Sequence, residues 1–359
     1  MVPGSIPNII LSLTNFYYFC DLKLRIHNRI SFSEMNKAKI IKLAELIVKI
    51  IIVLIGILIL YKKIFVNQNV SEIWNDIEKS FSNKRQFSLI FIAFLLVPVN
   101  IFLESVKWKL QVKPIENINN WKSFISIFTG MTAGMFFPNR MGNFLGRIFM
   151  LEKGDRIKAA MVTIVGGMAQ MIATITAGLI AALFFVDNLT IVIGIISVLI
   201  IFTLTLIYFN IHLLKYFQFI IPKKFKEKTK EYFEVFSLYS KIELLEILII
   251  SFVRYLLYTF QFVLLIWAFN IPLTYFKAMI PISLTYLMMM IIPFITITEI
   301  AVRGSVSVVI FEKWLIMNGL NTSFGMMVFS ASSLLWIFNI AIPAIIGLFL
   351  IHRLKFFRN

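Results

Sequence analysis

Apolar runs of about 20 residues recur along this sequence, the length a helix needs to cross a hydrocarbon core of about 30 Å. Six read as full crossings: residues 42–65, 87–108, 158–186, 190–209, 243–269 and 324–351. The second is interrupted by Pro98, Asn100 and Glu104. Composition agrees, because 59% of the 359 residues are hydrophobic and only 15% are charged. Soluble domains hold about 25% charged residues, so this chain has too little polar surface to cover a water-soluble globule. The expected fold class is an all-α polytopic integral membrane bundle.

Two further apolar stretches fit a simple crossing less well. Residues 121–137 are rich in Gly and Thr and break at Pro138-Asn139-Arg140. Residues 275–297 end at Pro293 and a charged stretch, followed by a short apolar piece at 305–315. Lys and Arg place the loops. Segments 36–43, 109–120, 138–158, 210–242 and 352–359 carry 20 of them, loops 187–189, 270–274 and 318–323 carry none, and loop 61–86 carries five, partly offset by Glu72, Asp76 and Glu78. The positive-inside rule then puts both termini in the cytoplasm. Parity is kept if 121–152 returns to the cytoplasmic face and 275–315 returns to the outer face. Two re-entrant hairpins from opposite faces are expected, with ordinary full-span pairs as the alternative of equal parity. Non-helical backbone at membrane depth needs a protein-lined cavity. Both hairpins have a proline break, an Arg–Gly neighbour pair and a Glu-Lys exit, a pattern that admits an inverted repeat.

The chain ends and the longest loop read differently. Residues 1–34 lack the basic region and small-residue cleavage site of a signal peptide. Met35-Asn36-Lys37 is a plausible start, so 1–34 is expected to be an N-terminal extension with little order, and 35–359 a single transmembrane domain. Residues 215–242 form a basic amphipathic segment, with Phe225, Tyr232, Phe236 and Tyr239 near one face. A helix on anionic lipid and a solvated connector fit it equally well.

The formal net charge is +17. In a membrane protein this excess points to anionic lipid rather than nucleic acid. Cys20 is the single cysteine, and His27, His212 and His352 are widely separated. No metal and no other cofactor is expected. No Ser/His/Asp or Cys/His set and no paired carboxylates in an aqueous domain are present, so the chain is not expected to be an enzyme.

The expected chemistry lies inside the membrane. A charge at the bilayer centre costs about 2.5–3.5 kcal/mol on insertion scales, so such residues face the protein interior with a partner. Arg254, Tyr258 and Gln261 share one helix face, and Arg254 could pair with Glu104 or Glu299. Asn100 and Glu104 share a face of the second crossing, although Glu104 could instead lie at headgroup level beside Lys107 and Trp108. Arg140, Arg147 and Arg303 sit at the two breaks, where guanidinium groups suit bidentate phosphate binding. Arg303 stands four residues from Glu299, which also allows a simple intrahelical salt bridge. Gly130, Gly134, Gly142 and Gly146 recur every four residues and read as a close-packing stripe.

These residues resemble the flippase-like membrane region of lysylphosphatidylglycerol synthases. Residues 138–147 are similar to that family's Pro-x-Arg-x-Gly-Glu-x(2–3)-Arg signature. Asn100 with Lys107-Trp108, the Arg254–Gln261 helix, and the stretch from Pro293 to Gly304 with Glu299 and Arg303 resemble further parts of it. The likeness runs from about residue 40 to 355, with one departure: the glutamate after the first glycine is Asn143 here. The resemblance implies a translocator for an anionic phospholipid or lipid-linked headgroup, without the synthase half. Arg140, Asn143, Arg147, Arg254, Tyr258, Gln261, Glu299, Arg303, Asn100 and Glu104 would line its path. Membrane lipids are the expected partners, together with a separately encoded synthase. Two alternatives remain open: an intramembrane transferase acting on a lipid phosphate, and a scaffold for that synthase.

Overall fold

A computed structural model describes residues 83–137, 140–152, 154–185, 190–213, 231–292, 298–320 and 322–350. The expected first crossing at 42–65, the N-terminal extension, the proline breaks and most of segment 215–242 lie outside the described residues. The described residues belong to one compact unit. They form ten α-helices: α1 (Lys84–Val112), α2 (Asn120–Phe136), α3 (Gly142–Ile148), α4 (Arg156–Leu183), α5 (Thr190–Phe209), α6 (Lys241–Ala268), α7 (Tyr275–Ile291), α8 (Glu299–Met317), α9 (Gly325–Trp336) and α10 (Ile342–Leu350). A π-turn, Ile337–Ala341, joins α9 to α10 into one rod. Among the described residues, α1, α4, α5, α6 and the α9–α10 rod are long and apolar enough to cross a membrane. The chain is therefore an all-α, multi-pass membrane bundle.

Local sequence sets the helix starts. The orphan N–H groups of a first turn need an acceptor. Asn83 supplies it to Arg85, Asn119 to Lys122, and Asp155 to Ile157 and Lys158. Ser240 and Glu243 form a reciprocal capping box at the start of α6. Helix α5 is apolar all round, with a mean hydropathy of 2.8 and little of it buried. Ile191, Ile195, Val198 and Phe202 face outward, as a lipid-contacting helix requires.

Two helical hairpins occupy the expected positions: a short one, α2–α3, and a longer one, α7–α8, whose helices of 17 and 19 residues approach the length of a full crossing. Helix α3 has seven residues, a rise of about 10 Å and a third of the hydrocarbon core. Glu116, before α2, accepts hydrogen bonds from the backbone N–H of Glu152 and Gly154, after α3. The first hairpin thus begins and ends at one end of the bundle, with a return arm too short to cross. In the second, Trp314 near the end of α8 donates to the carbonyl of Lys277 at the start of α7, at 2.8 Å. The two hairpins touch, because Arg140 of the first is ion-paired with Glu299 at the head of α8.

Starts recur along the chain: Lys84 and Lys241, Asn120 and Tyr275, Gly142 and Glu299 are separated by 157, 155 and 157 residues. Packing recurs too, since α4 lies on α7 and α10 lies on α2. Three crossings (α1, α4 and α5) precede α6, so α6 runs opposite to α1 and the two halves are inverted.

The glycine stripe is a packing device. A Cβ on Gly142 would lie 2.1 Å from the carbonyl oxygen of Ala133, and one on Gly146 would lie 2.5 Å from that of Thr129. Backbone cannot yield at these distances, so α2 and α3 touch main chain to main chain. Gly142→Ala is expected to cost about 1–3 kcal/mol through overpacking. Gly167→Ala, in open space within α4, should be neutral or stabilise by about 0.5–1 kcal/mol. Thermal unfolding of both variants in one detergent checks this, and equal responses would mean that the hairpin has room.

The end of the amphipathic segment docks on protein. Phe236 and Tyr239 are buried in the same apolar cluster as Trp108, Val112 and Leu244. The Tyr239 hydroxyl donates to the carbonyl of Gln111, and burial pushes its pKa up, so it stays protonated. These two aromatics are part of the core, while residues 215–230 of the amphipathic segment lie outside the described residues. Burial against α1 and α6 removes more apolar area from water than an interfacial position would.

Candidate functional site

A cavity of about 440 Å³ lies where the two hairpins meet α1, α4, α6 and the π-turn. That size suits a small ligand or headgroup. Its polar lining is arranged around two carboxylates.

Glu104 of α1 is the first centre. Its Oε1 accepts from Arg147 Nη1 of α3 at 2.6 Å. Its Oε2 meets Lys107 Nζ at 2.9 Å and also pairs with Arg254 Nη1 of α6. Arg254 reaches further, from Nε to Asn100 Oδ1 at 3.1 Å and from Nη1 to Gln170 Oε1 at 3.2 Å. Asn100 Nδ2 donates to Asn339 Oδ1 of the π-turn at 3.0 Å. One buried carboxylate thus gathers cations from three helices. Leaving any of these charges unpaired in a low-dielectric interior would cost several kcal/mol.

Glu299 is the second centre and is fully buried. Arg140 holds it in a bidentate grip, with Nε 2.7 Å from Oε2 and Nη2 on Oε1. Arg303 Nη2 meets Oε1 at 2.7 Å, and Arg303 Nη1 donates to the Tyr258 hydroxyl at 2.6 Å. The Arg303 guanidinium also lies about 6 Å from the rings of Tyr258 and Tyr286. Arg140 has a φ of 57°, a left-handed conformation that costs a side-chain-bearing residue about 1–2 kcal/mol. Such strain persists where surrounding contacts over-determine the position, and here the bidentate pair does so.

Counted over the described lining, Lys107, Arg140, Arg147, Arg254 and Arg303 are five cations against the two carboxylates. The donors are in surplus as well. Arg147 Nε, Arg303 Nε, Gln111 Nε2 and the Tyr286 hydroxyl are buried without a hydrogen-bond partner among the described residues. A half-open cavity with excess positive charge suits an anion rich in acceptor oxygens. Among the described residues no cluster of three His, Cys, Asp or Glu side chains is placed to hold a metal.

The family model described as "Lysylphosphatidylglycerol synthase TM region" matches residues 46–312, about three quarters of the chain. The chain belongs to that family. No curated protein and no solved structure gives a significant match. Membership ties the chain to membrane-lipid function.

In this family member the fold brings together nine of the ten residues expected from sequence: Asn100, Glu104, Arg140, Asn143, Arg147, Arg254, Tyr258, Glu299 and Arg303 line the cavity. Gln261 stands apart, because its Nε2 donates to the carbonyl of Ala93 at 2.9 Å and ties α6 to α1. Of the two candidate partners for Arg254, the structure selects Glu104. Glu104 itself is buried, with its pairing to Lys107 a contact inside the bundle. Arg303 makes the intrahelical bridge to Glu299 and is shared with Tyr258. Lys107, Gln111, Gln170, Tyr286 and Asn339 also line the cavity and were not among the expected set. Gln170 and Asn339 carried a usable signal, since each is a lone amide deep in an apolar run.

Proposed function

We propose that this protein moves an anionic lipid headgroup between the leaflets of the cytoplasmic membrane, with both of its termini on the cytoplasmic side. The observation that carries this is the cation-rich cavity where the two hairpins meet. Phosphate is the anion that every candidate lipid headgroup presents at membrane depth. Arg140, Arg147 and Arg303 supply guanidinium N–H groups for it in exchange with the Glu299 and Glu104 carboxylates that hold them here, and Arg254 and Lys107 add charge. The two helical hairpins and the inverted halves support alternate exposure of such a site to either face, as in inverted-repeat transporters. Family membership supports a lipid as the cargo.

The test is leaflet exchange of a labelled anionic phospholipid in vesicles containing the purified protein. Arg303→Ala and Arg303→Lys should each slow exchange about tenfold or more, since a charge-assisted bond contributes about 1.5–3 kcal/mol. Lys keeps the charge and loses the planar fork, so Arg303→Lys should stay close to wild type in thermal stability. Normal exchange by Arg303→Ala would remove Arg303 from the site. Wild-type protein that exchanges no anionic lipid would overturn the proposal and favour a scaffold role.

A further inference from the structure

We infer that the cavity opens sideways into the bilayer through a window rimmed by Phe144 of α3, Gly167 of α4 and Met290 of α7, and that the acyl chains of the cargo lie in this window. The inference rests on the proposed lipid role and adds where the chains run while the headgroup is bound.

The rim is the first observation. Phe144, Gly167 and Met290 all line the cavity. Phe144 is 39% exposed and Met290 42% exposed, and Gly167 is exposed as well. The cavity is therefore continuous with the surroundings of the bundle at these residues. Depth says what those surroundings are. Helix α4 has 28 residues, a length of about 42 Å, so both of its ends project beyond a hydrocarbon core of about 30 Å. Gly167 stands 11 residues past Arg156, about 16 Å along α4 and about 10 Å inside that core. An apolar rim at that depth faces lipid, because the hydrocarbon region holds no water.

Helix lengths explain why the wall is open there, which is an independent observation. Helix α3 packs on α4 but rises only about 10 Å, so it shields a fraction of the longer helix. The glycines of α4 divide accordingly. A Cβ on Gly166 would lie 1.9 Å from Gln111, and one on Gly178 would lie 2.6 Å from Leu287, whereas one on Gly167 meets nothing within 4 Å. Gly166 and Gly178 serve packing; at Gly167 the missing side chain leaves space.

The window and the cations belong to one cavity, so a molecule that fills both is amphiphilic, with an anionic head for Arg147, Arg254 and Lys107 and an apolar tail for the rim. A free anion would leave the rim uncovered. Met131, Met135 and Met289 line the same cavity beside Met290. Their unbranched, flexible side chains adapt to irregular apolar shapes, as acyl chains of differing length and unsaturation require.

The experiment places a bulky side chain in the window. Gly167→Trp extends into open space, so thermal stability should match wild type. Leaflet exchange of labelled phosphatidylglycerol in vesicles is expected to fall at least about tenfold. Binding of its deacylated counterpart, glycerophosphoglycerol, to the full-length protein in phosphatidylcholine nanodiscs should change less than about threefold. Ile180→Trp is the control, since Ile180 lies on the same helix, is 50% exposed and is not part of the lining; it should exchange lipid as wild type does. Met290→Trp blocks the same window from α7 and should reproduce the loss even if Gly167→Trp proves unstable. Wild-type exchange by both window variants would overturn the window and leave the lipid role standing. Loss of glycerophosphoglycerol binding in Gly167→Trp would place the indole in the headgroup site and overturn the acyl path. Wild-type protein that binds glycerophosphoglycerol yet exchanges no lipid would overturn the lipid role and the window with it.

Discussion

Glu104→Ala is expected to cost about 3–5 kcal/mol of stability, the range for removing one partner of a buried ion pair. The cost is large because this carboxylate neutralises Arg147, Arg254 and Lys107 together. Without it, three cations from α1, α3 and α6 repel one another inside the bundle. Thermal unfolding in a mild detergent gives the measurement. A double variant, Glu104→Gln with Arg254→Gln, should recover part of the loss by removing one orphaned charge. Added phosphate or phosphatidate should also restabilise Glu104→Ala more than wild type, because an anion can stand in for the carboxylate. A loss below about 1 kcal/mol would mean that water, not Glu104, keeps these cations solvated.

The second large effect is expected where the hairpins touch. Glu299→Gln should destabilise by about 3–5 kcal/mol and slow lipid exchange, since Arg140 and Arg303 both lose their partner. A double-mutant cycle isolates the contact between the hairpins. Coupling between Arg140 and Glu299 should reach about 1.5–3 kcal/mol, toward the upper end for residues in direct contact. The Lys113–Glu243 pair, whose lysine side chain is 59% exposed, should couple by about 0.2–1 kcal/mol. Arg140→Gly should be milder than Arg140→Ala by about 1 kcal/mol, because glycine relieves the left-handed backbone while both lose the pair. Coupling at Arg140–Glu299 no greater than at the exposed pair would show that the hairpins are not held together there.

Some of this architecture follows from the sequence because the bilayer makes local composition decisive. A run of about 20 apolar residues has few alternatives to a spanning helix, since each unpaired backbone group in hydrocarbon costs several kcal/mol. The ends of α5 and the spans of α1, α4 and α6 could therefore be read to within a few residues. The breaks at Pro138 and Pro293 marked both hairpins for the same reason, and the four-residue glycine spacing marked the α2–α3 contact. The expensive charges Glu104, Arg254, Glu299 and Arg303 stood out because a charge in an apolar run needs a partner.

Which partner each charge takes was decided only by the tertiary structure. Arg254 had two carboxylates available, and the packing of α6 on α1 selected Glu104. Arg140 reaches Glu299 across 159 positions of chain, a contact set by the meeting of the two hairpins and invisible to local spacing. Gln261 shares a helix face with Arg254 and Tyr258, yet the close approach of α1 turns it into a tie to the Ala93 carbonyl. Asn339 becomes part of the site through the π-turn, which no periodicity announces. Residues 236–239 fitted a lipid-bound helix or a solvated connector equally by pattern, because spacing alone does not say what an apolar face meets. Neighbouring helices resolved that degeneracy: a pattern of apolar and charged residues fixes what must be buried, whereas helix packing fixes against what.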